Sequence, residues 1–488
     1  MSGETPMVLL PLGITAASAL AVMLAAAVRG PTPRAATGRA AEALSVLGLA
    51  AELGSQLAVA GAAPRRVTPL FVFDGVSSIL GAVVLASALA VVLLASAYLR
   101  RLDEPWEEIY ALLLLGTAGA LALTSSDHLV GLVLGLEALS VSLYGLVASV
   151  RTRGDEALEA AMKYLVLAGA ASAFLLFGVA LLYASVGTLE LPALTAELSA
   201  GTPAGSELVT VAGLAFVLVG IGFKLALVPF HLWTPDVYQG APAPITAFVA
   251  TVSKGGVVAF LLRLVAAAGA VARPEDGEGL FVVLALLAGA SILVGNLLAL
   301  LQRDVKRLLA YSSIAHLGYL LVALLAGGEL GPRAAVFYLI AYAVTILLAF
   351  GVVTILSRAE QEAGDLDAYR GLFWRRPILA SAMAAAVFSL AGIPLTAGFV
   401  AKLYLLLAAL DGSRFGLVGI LVVGSVLGLY YYLRVVVAML ATPEPETAAS
   451  EPVGASGGVA LAGLGAVLIW IGVAPSAWLR ILGIWLGG

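Results

Sequence analysis

The 488-residue chain is too apolar for a soluble globular protein, because 61% of its residues are hydrophobic and only 11% are charged. Its net charge of -4 and the absence of any basic run give no indication of nucleic-acid binding. Since the chain has no cysteine, a thiolate-ligated cluster or a disulfide within it is excluded. The composition predicts a protein of the lipid bilayer, without a redox cofactor of its own.

Fourteen apolar stretches of the sequence are long enough to cross about 30 Å of hydrocarbon. Each is expected to be an α-helix, because an open strand leaves backbone groups unpaired in lipid. The first has no basic residue before it, so it is predicted to be a membrane helix and not a cleaved signal. The expected fold is all-α and polytopic, and the predicted spans are 7–28, 41–63, 74–98, 107–126, 128–150, 157–185, 205–230, 242–268, 279–301, 306–327, 332–357, 377–409, 414–441 and 457–485.

Basic residues are distributed unevenly between the predicted loops. The odd-numbered loops, with the helix ends beside them, hold 16 of the 26 lysines and arginines, whereas the even-numbered loops hold 6. The positive-inside rule then predicts cytoplasmic odd loops and both termini on the outer, periplasmic face. The longest polar connection, Ser357 to Arg376, is predicted to form a helix along the cytoplasmic surface.

Five titratable residues lie near the middle of predicted spans. A charge at that depth costs about 2.5 to 3.5 kcal/mol on insertion scales, so such residues persist mainly where they face a hydrated interior and have a function. Lysines with a nearby carboxylate suit proton transfer, because burial disfavours the charged lysine and the carboxylate favours it. The five residues are Glu137, Lys224, Lys254, His316 and Lys402.

Glu137 and Lys224 are the expected switch pair, since a polar helical face continues from Glu137 through Ser140. The alternative for a mid-span lysine is that it snorkels or forms a purely structural pair. A lone histidine such as His316 is also often a satisfied core residue. Glu52 has no basic neighbour in the sequence and is expected in a lipid-facing or interfacial helix end.

Prolines interrupt two of the predicted helices. Pro229 and Pro235 remove backbone donors from the seventh span, and Pro394 does so in the twelfth, 165 residues after Pro229. Paired interruptions in corresponding halves indicate an inverted repeat with an ion path at each break, although the prolines could instead kink helices for packing. The predicted organisation is helices 1–3 in 1–106, two inverted five-helix repeats in 107–270 and 271–441, and a connection with helix 14 in 442–488.

Five stretches of the sequence carry a resemblance to a known family. They are GLEALSVSLYGLVA at 135–148, FKLALVPFHLWTPDVYQGAPAPITAFVATVSKGG at 223–256, DVKRLLAYSSIAHLGYLLVAL at 304–324, YRGLFWRRP at 369–377 and LAGIPLTAGFVAKLYLL at 390–406. In these stretches the chain resembles the subunit N family of bacterial NADH:quinone oxidoreductase, respiratory complex I, and more distantly subunits L and M. Two departures favour subunit N. Position 402 is a lysine, where subunit M usually has glutamate, and the sequence shows no segment like the lateral helix of subunit L.

The resemblance implies a proton relay, with Glu137 and Lys224 as the coupled pair, Lys254 as the central relay and Lys402 as the terminal site. His231, His316 and Lys163 would be auxiliary residues, with Lys163 near the input side. NADH, FMN, iron-sulfur clusters and quinone would belong to partner subunits. The expected partners are membrane subunits of the M, K, L, J, A and H types and, through them, the peripheral redox arm, in a bacterial inner membrane.

Two other functions remain open from the sequence. The chain could be a cation/proton antiporter subunit of the Mrp type, which no redox partner drives. It could also be a structural scaffold with a disused channel. As a subunit of complex I, the chain itself would perform no chemistry on NADH or quinone.

Overall fold

The computed structural model describes residues 5–28, 34–60, 64–101, 106–149, 155–200, 205–269, 278–357, 362–442 and 454–486. In these ranges the chain is helical apart from short connections and one two-stranded hairpin, β1 (Arg65–Arg66) and β2 (Val72–Phe73). The all-α prediction is therefore confirmed.

Three helices come first, α1 (Thr5–Val28), α2 (Arg34–Val59) and α3 (Gly75–Leu99). The hairpin connects α2 to α3, and Asp74 caps α3 by accepting a hydrogen bond of 2.8 Å from the Ser77 amide. Seven helices follow: α4 (Trp106–Ser125), α5 (Leu129–Val147), α6 (Asp155–Val186), α7 (Leu191–Ala200), α8 (Glu207–Leu225), α9 (Trp233–Gly240) and α10 (Ala243–Gly269).

The second half of the chain continues with α11 (Glu278–Leu300), α12 (Val305–Ala326), α13 (Leu330–Leu356), α14 (Leu372–Arg375), α15 (Pro377–Ala391), α16 (Ala397–Asp411) and α17 (Phe415–Leu440). The last two helices are α18 (Ala455–Val473) and α19 (Pro475–Leu486). A short 3-10 turn, Leu366–Tyr369, precedes α14.

Twelve helices in the described residues are individually long and apolar enough to cross a membrane. Helix α1, with the apolar stretch Gly13–Ala27, and the broken pair α15 and α16 add two, so twelve plus two gives the fourteen predicted spans. Both predicted interruptions are present: Pro229 lies between α8 and α9, and Pro394 lies between α15 and α16. The predicted sidedness of the membrane stays a prediction.

The centre of the molecule consists of α10, α12 and α13. The most apolar part of each is 100%, 94% and 89% buried inside the chain, whereas the corresponding value for α6 and for α17 is 33%. The central helices are thus shielded from lipid by their neighbours. Polar side chains on them have protein, and not hydrocarbon, around them.

Three predictions about the periphery were wrong. The fourteenth helix ends at Val473 and not at 485, because Pro475 cannot continue the hydrogen-bond ladder and begins α19 instead. In the described part of Ser357 to Arg376, only the 3-10 turn and α14 are helical, since Gly371 between them has a left-handed φ of 67°. Glu52 is buried and accepts a hydrogen bond from Thr15 on α1, so it does not face lipid.

The flexible connection expected at 442–458 falls largely on 443–453, outside the described residues.

Candidate functional site

Lysine ammonium groups cap both interrupted helices. Helix α8 ends at Leu225, and α15 ends at Ala391 beside Gly392, whose φ is 83°. The last carbonyls of a helix have no partner within it and carry partial negative charge. Lys254 donates to the Lys224 carbonyl at 3.3 Å, while Lys402 donates to the carbonyls of Leu390 and Ala391 at 2.9 and 3.1 Å. Each of the two chain breaks therefore has a buried lysine ammonium at its helix end.

Lys224, one residue before the end of α8, has hydroxyl partners. Its ammonium donates to Ser140 Oγ at 2.8 Å and to the Tyr164 hydroxyl at 2.9 Å. Ser140 in turn donates to the Leu136 carbonyl at 2.7 Å, so its oxygen is oriented to accept from the lysine. Tyr164 is fully buried on α6.

Glu137 lies three residues before Ser140 on α5 and is half-buried. In the described part of the chain, no carboxylate forms an ion pair with Lys224 within 4.0 Å. The helix that carries Glu137 thus contacts Lys224 through the Ser140 hydroxyl.

Lys254, on the central helix α10, has an exposed fraction of 0%. Its ammonium lies 5.5 Å from the ring centroid of Trp233, the first residue of α9, a distance within the range of cation–π attraction. Trp233 is fixed by its own hydrogen bond of 2.9 Å to the Phe223 carbonyl. Residues on both sides of the first break therefore contact Lys254.

His316, on α12, is held between two tyrosines. One ring nitrogen lies 2.6 Å from the Tyr338 hydroxyl and the other 3.1 Å from the Tyr432 hydroxyl. Because both ring nitrogens have hydroxyl partners, either tautomer is accommodated by rotation of the two O–H groups.

A small cavity separates His316 from Lys402. Its volume of about 10 Å³ is close to what one water molecule requires. The polar residues that line it are His316, Tyr338, Tyr342, Thr345, Ser389 and Lys402. A single water there would have several hydrogen-bonding groups within its walls.

Two further sets of polar residues adjoin this cavity. Tyr238 on α9 is hydrogen-bonded to Ser313 at 3.3 Å, and Ser313 accepts from Tyr342 at 2.7 Å. On the other side, Lys402 lies 5.2 Å from the ring centroid of Tyr319, whose hydroxyl accepts from Asn296 at 3.1 Å. The hydroxyls thus extend from Tyr238, in the first half of the chain, to Lys402.

The sequence analysis did not identify these tyrosines and serines as site residues. The sequence does contain a signal for two of the tyrosines. Tyr338 and Tyr342 are four residues apart, which puts both on one helix face, and their span is otherwise almost wholly apolar. Ser312 and Ser313 precede His316 on α12 in the same way, one turn away.

Lys163 and His231 lie apart from the buried lysines. Lys163 is exposed on α6 and pairs with Glu159 at 2.7 Å and Asp236 at 2.8 Å. His231 is buried in the connection between α8 and α9. In the described residues, no hydrogen bond links either side chain to Lys224, Lys254 or Lys402.

No group of three or more histidine, aspartate or glutamate side chains that could hold a metal ion occurs in the described ranges. The assignment of redox cofactors to partner subunits stays a prediction.

Known proteins resemble this chain over nearly its whole length. The family model described as NADH:quinone oxidoreductase/Mrp antiporter, TM, matches residues 126–428. NADH-quinone oxidoreductase subunit N of Chromohalobacter salexigens is 46% identical over 482 residues, which cover 97% of this chain and 98% of the relative. The protein of the same description from Methylococcus capsulatus is 47% identical over 444 residues, covering 90% and 87%.

Solved structures agree with the sequence relatives. A chain of respiratory complex I from Thermus thermophilus with bound aureothin is 36% identical, with a TM-score of 0.81 over 97% of this chain and 99% of that one. A chain of the Mrp complex from Dietzia sp. has a TM-score of 0.84 over 99% and 97%, but at 23% identity it shows a common fold alone. The chain therefore belongs to the NADH:quinone oxidoreductase/Mrp antiporter transmembrane family, among the subunit N proteins of complex I.

Proposed function

We propose that this chain moves protons across the membrane within complex I, through a relay of Glu137, Lys224, Lys254, His316 and Lys402. The observation that carries the proposal is the burial of three lysines inside the protein. Lys224, Lys254 and Lys402 have exposed fractions of 3%, 0% and 8%, and in the described residues their ammonium groups donate to hydroxyl or carbonyl oxygens. A buried lysine with neutral partners can release its proton more readily than one paired with a carboxylate.

The first step of the relay would take place between Glu137 and Lys224. A charge on Glu137 favours the protonated form of a nearby lysine, and its neutralisation disfavours that form. Ser140 and Tyr164 can accept and donate at the same oxygen, so they can pass a proton to or from Lys224. Lys254 would follow, since its ammonium already contacts the backbone of Lys224.

The last step would cross the cavity between His316 and Lys402. Each hydroxyl around His316 can exchange donor and acceptor roles, and one water in the cavity would bring the histidine within reach of the lysine. His231 and Lys163 would be auxiliary residues, with Lys163 at the entry side.

The driving energy would come from electron transfer from NADH to quinone in partner subunits, which would hold FMN and the iron-sulfur clusters. Membrane subunits of the M, K, L, J, A and H types would be neighbours of this chain. Moving one charge across 100 mV requires about 2.3 kcal/mol, an amount that coupled protonation of neighbouring buried groups can supply. We also propose that 107–270 and 271–441 are the two inverted units, with both chain termini periplasmic.

Alanine substitution tests the relay. Lys224→Ala or Lys402→Ala in the assembled complex is expected to lower proton pumping at least about tenfold, since a relay without its acceptor loses a step worth more than 1.4 kcal/mol. Proton uptake into proteoliposomes and NADH:quinone activity are measured together. The control is Arg333→Met, which removes a cation from the exposed pair with Glu329. Normal pumping by both lysine variants would support a structural scaffold instead.

Purification distinguishes the complex I role from that of a stand-alone antiporter. A complex I subunit is expected to copurify with iron-sulfur and flavin proteins. An Mrp-type subunit would copurify with other antiporter subunits and would show sodium/proton exchange without NADH.

A further inference from the structure

A buried ion pair that takes no part in the proposed relay joins Lys306 to Glu362. Lys306 lies in the first turn of α12, and Glu362 lies in the connection from α13 to the 3-10 turn. The exposed fractions of their side chains are 1% and 3%. Burial of two opposite charges is costly unless each makes further hydrogen bonds. The contacts of this pair show where those hydrogen bonds go.

The backbone holds the two residues together. The Val305 amide donates to the Gly364 carbonyl at 2.6 Å, and the Leu366 amide donates to the Arg303 carbonyl at 3.0 Å. Residue 364 is glycine because a Cβ there would overlap the carboxylate of Asp304, the N-cap of α12. Residues 362–366 therefore lie against the start of α12, with the Glu362 side chain directed inward.

Both members of the pair bind the junction of α9 and α10. The Lys306 ammonium donates to the carbonyls of Gln239 and Ala241 at 2.9 and 2.6 Å. Glu362 accepts from the Ala243 amide at 2.8 Å. The end of α9 and the beginning of α10 thus have their free backbone groups satisfied by one cation and one anion.

Helix α9 needs such an anchor because it has only eight residues. A helix that short is not stable by itself in water and depends on its tertiary contacts. Two of its side chains belong to the candidate site, Trp233 against Lys254 and Tyr238 against Ser313. A shift of α9 would change both contacts at once.

We propose that Lys306 and Glu362 are positioning residues, which hold α9 in place so that Trp233 and Tyr238 keep the relay continuous between the two halves of the chain. The functional part of this inference rests on the proposed proton relay. The positional part does not, because it concerns only whether α9 stays packed.

Cysteine labelling measures the position of α9 directly. The chain has no cysteine, and Val237 on α9 has an exposed fraction of 0%, so Val237→Cys places one buried thiol on that helix. In the assembled complex, modification of this subunit by N-ethylmaleimide is followed by mass spectrometry. Adding Lys306→Met is expected to raise the labelling rate at least about tenfold, because local opening exposes the thiol. Adding Arg333→Met is expected to leave it unchanged.

A double variant separates anchoring from charge balance. Lys306→Met with Glu362→Met removes both charges of the pair together, but the carbonyls of Gln239 and Ala241 still lack their donor. Labelling of Val237→Cys is expected to remain fast in this variant. Slow labelling in both Lys306 variants would overturn the proposal.

Glu362→Gln is the alternative variant if Lys306→Met prevents assembly, because it keeps an acceptor for the Ala243 amide. It is expected to give an intermediate labelling rate. An unchanged rate would overturn the proposal.

Proton pumping supplies the second readout. Lys306→Met is expected to lower pumping as well as to expose α9. Fast labelling with normal pumping would refute the link to the relay while the anchoring role stands. Failure of the relay itself is seen separately, as normal pumping by Lys224→Ala.

Discussion

Lys254 donates a hydrogen bond of 3.3 Å to the backbone carbonyl of Lys224, so one buried lysine caps the half-helix that carries another. The interruption after Leu225 is what exposes this carbonyl, since it has no amide partner further along α8. A change of charge on Lys254 therefore acts on the end of α8 as well as on the proposed proton path. Lys402 has the same relation to the end of α15.

Lys254→Met is expected to lower proton pumping at least about tenfold, because it removes both a titratable group and the cap of a helix end. Lys254→Arg keeps a cation for the Lys224 carbonyl but does not release its proton at physiological pH. It is therefore expected to preserve assembly and still fail to pump. Proton uptake by proteoliposomes, normalised to the amount of assembled complex, checks both variants. Normal pumping by Lys254→Arg would show that function requires a positive charge at position 254 but not the release of a proton from it.

Ser140→Ala tests the hydroxyl that contacts Lys224. It removes an acceptor 2.8 Å from the ammonium while Tyr164 remains. The loss of one hydrogen bond to a charged group is expected to reduce pumping roughly tenfold, in line with about 1.5 to 3 kcal/mol for such a bond.

The matched control is Ser142→Ala on the same helix. Ser142 is equally buried, but its hydroxyl donates to the Ala138 carbonyl of its own helix and does not contact Lys224. Pumping by this variant is expected to be normal. Equal losses in the two serine variants would contradict a specific role for Ser140.

His128, the N-cap of α5, predicts a local dependence of stability on pH. Its Nδ1 accepts from the Val130 amide at 3.0 Å, which requires that nitrogen to be unprotonated. Burial, with a contribution from Arg66, outweighs Glu190 and Asp127 and lowers the pKa of His128 from its ordinary 6.5. When a histidine has a lower pKa in the folded state than in the unfolded state, the folded state loses stability as the pH falls below the unfolded-state pKa.

Hydrogen exchange of the first turn of α5 measures this effect. After correction for intrinsic rates, exchange of the Val130 amide is expected to be faster at pH 5 than at pH 8, with a limiting loss of about 1 kcal/mol for a missing N-cap. His128→Asn supplies a cap that does not titrate, so its protection is expected to be the same at both pH values. A pH effect that persists in His128→Asn would rule out the imidazole as its origin.

Much of the fold could be predicted because span length and proline position are local properties of the sequence. The wrong predictions depend on packing, on a single backbone angle or, at Pro475, on a proline within an apolar run. The apolar run continues past Pro475, so hydropathy alone gives no sign that α18 stops at Val473. Glu52 was assigned to a lipid-facing or interfacial end because its partner, Thr15, is 37 residues away on another helix.

The candidate site also has residues that could be predicted from the sequence and residues that could not. Lysines at mid-span are conspicuous in a sequence because their burial is costly. Hydroxyl partners such as Tyr164 are not, because tyrosine is frequent in membrane proteins for other reasons. That Lys254 and Lys402 bind helix-end carbonyls could not be predicted, since the direction of a side chain at a break depends on the backbone angles there.

Gly398→Ala tests whether close contact between the two halves of the twelfth span positions Lys402. The Gly398 amide donates to Ser389 Oγ at 3.0 Å, and a Cβ at this position would overlap the Ser389 carbonyl oxygen. The start of α16 would have to move away from α15, and Lys402, one turn further on, would move with it. Overpacking of this kind costs about 1 to 3 kcal/mol, so the complex is expected to assemble with lower thermal stability and reduced pumping.

The control for this variant is Gly419→Ala on α17, where nothing lies within 4 Å of the added Cβ. Alanine there is expected to leave pumping unchanged and to stabilise the helix slightly, because it loses less backbone entropy than glycine. Melting temperature and proton uptake are measured for both variants. If Gly398→Ala pumps normally at lower stability, the contact between α15 and α16 serves packing alone, and Lys402 tolerates a shift of the helix that carries it.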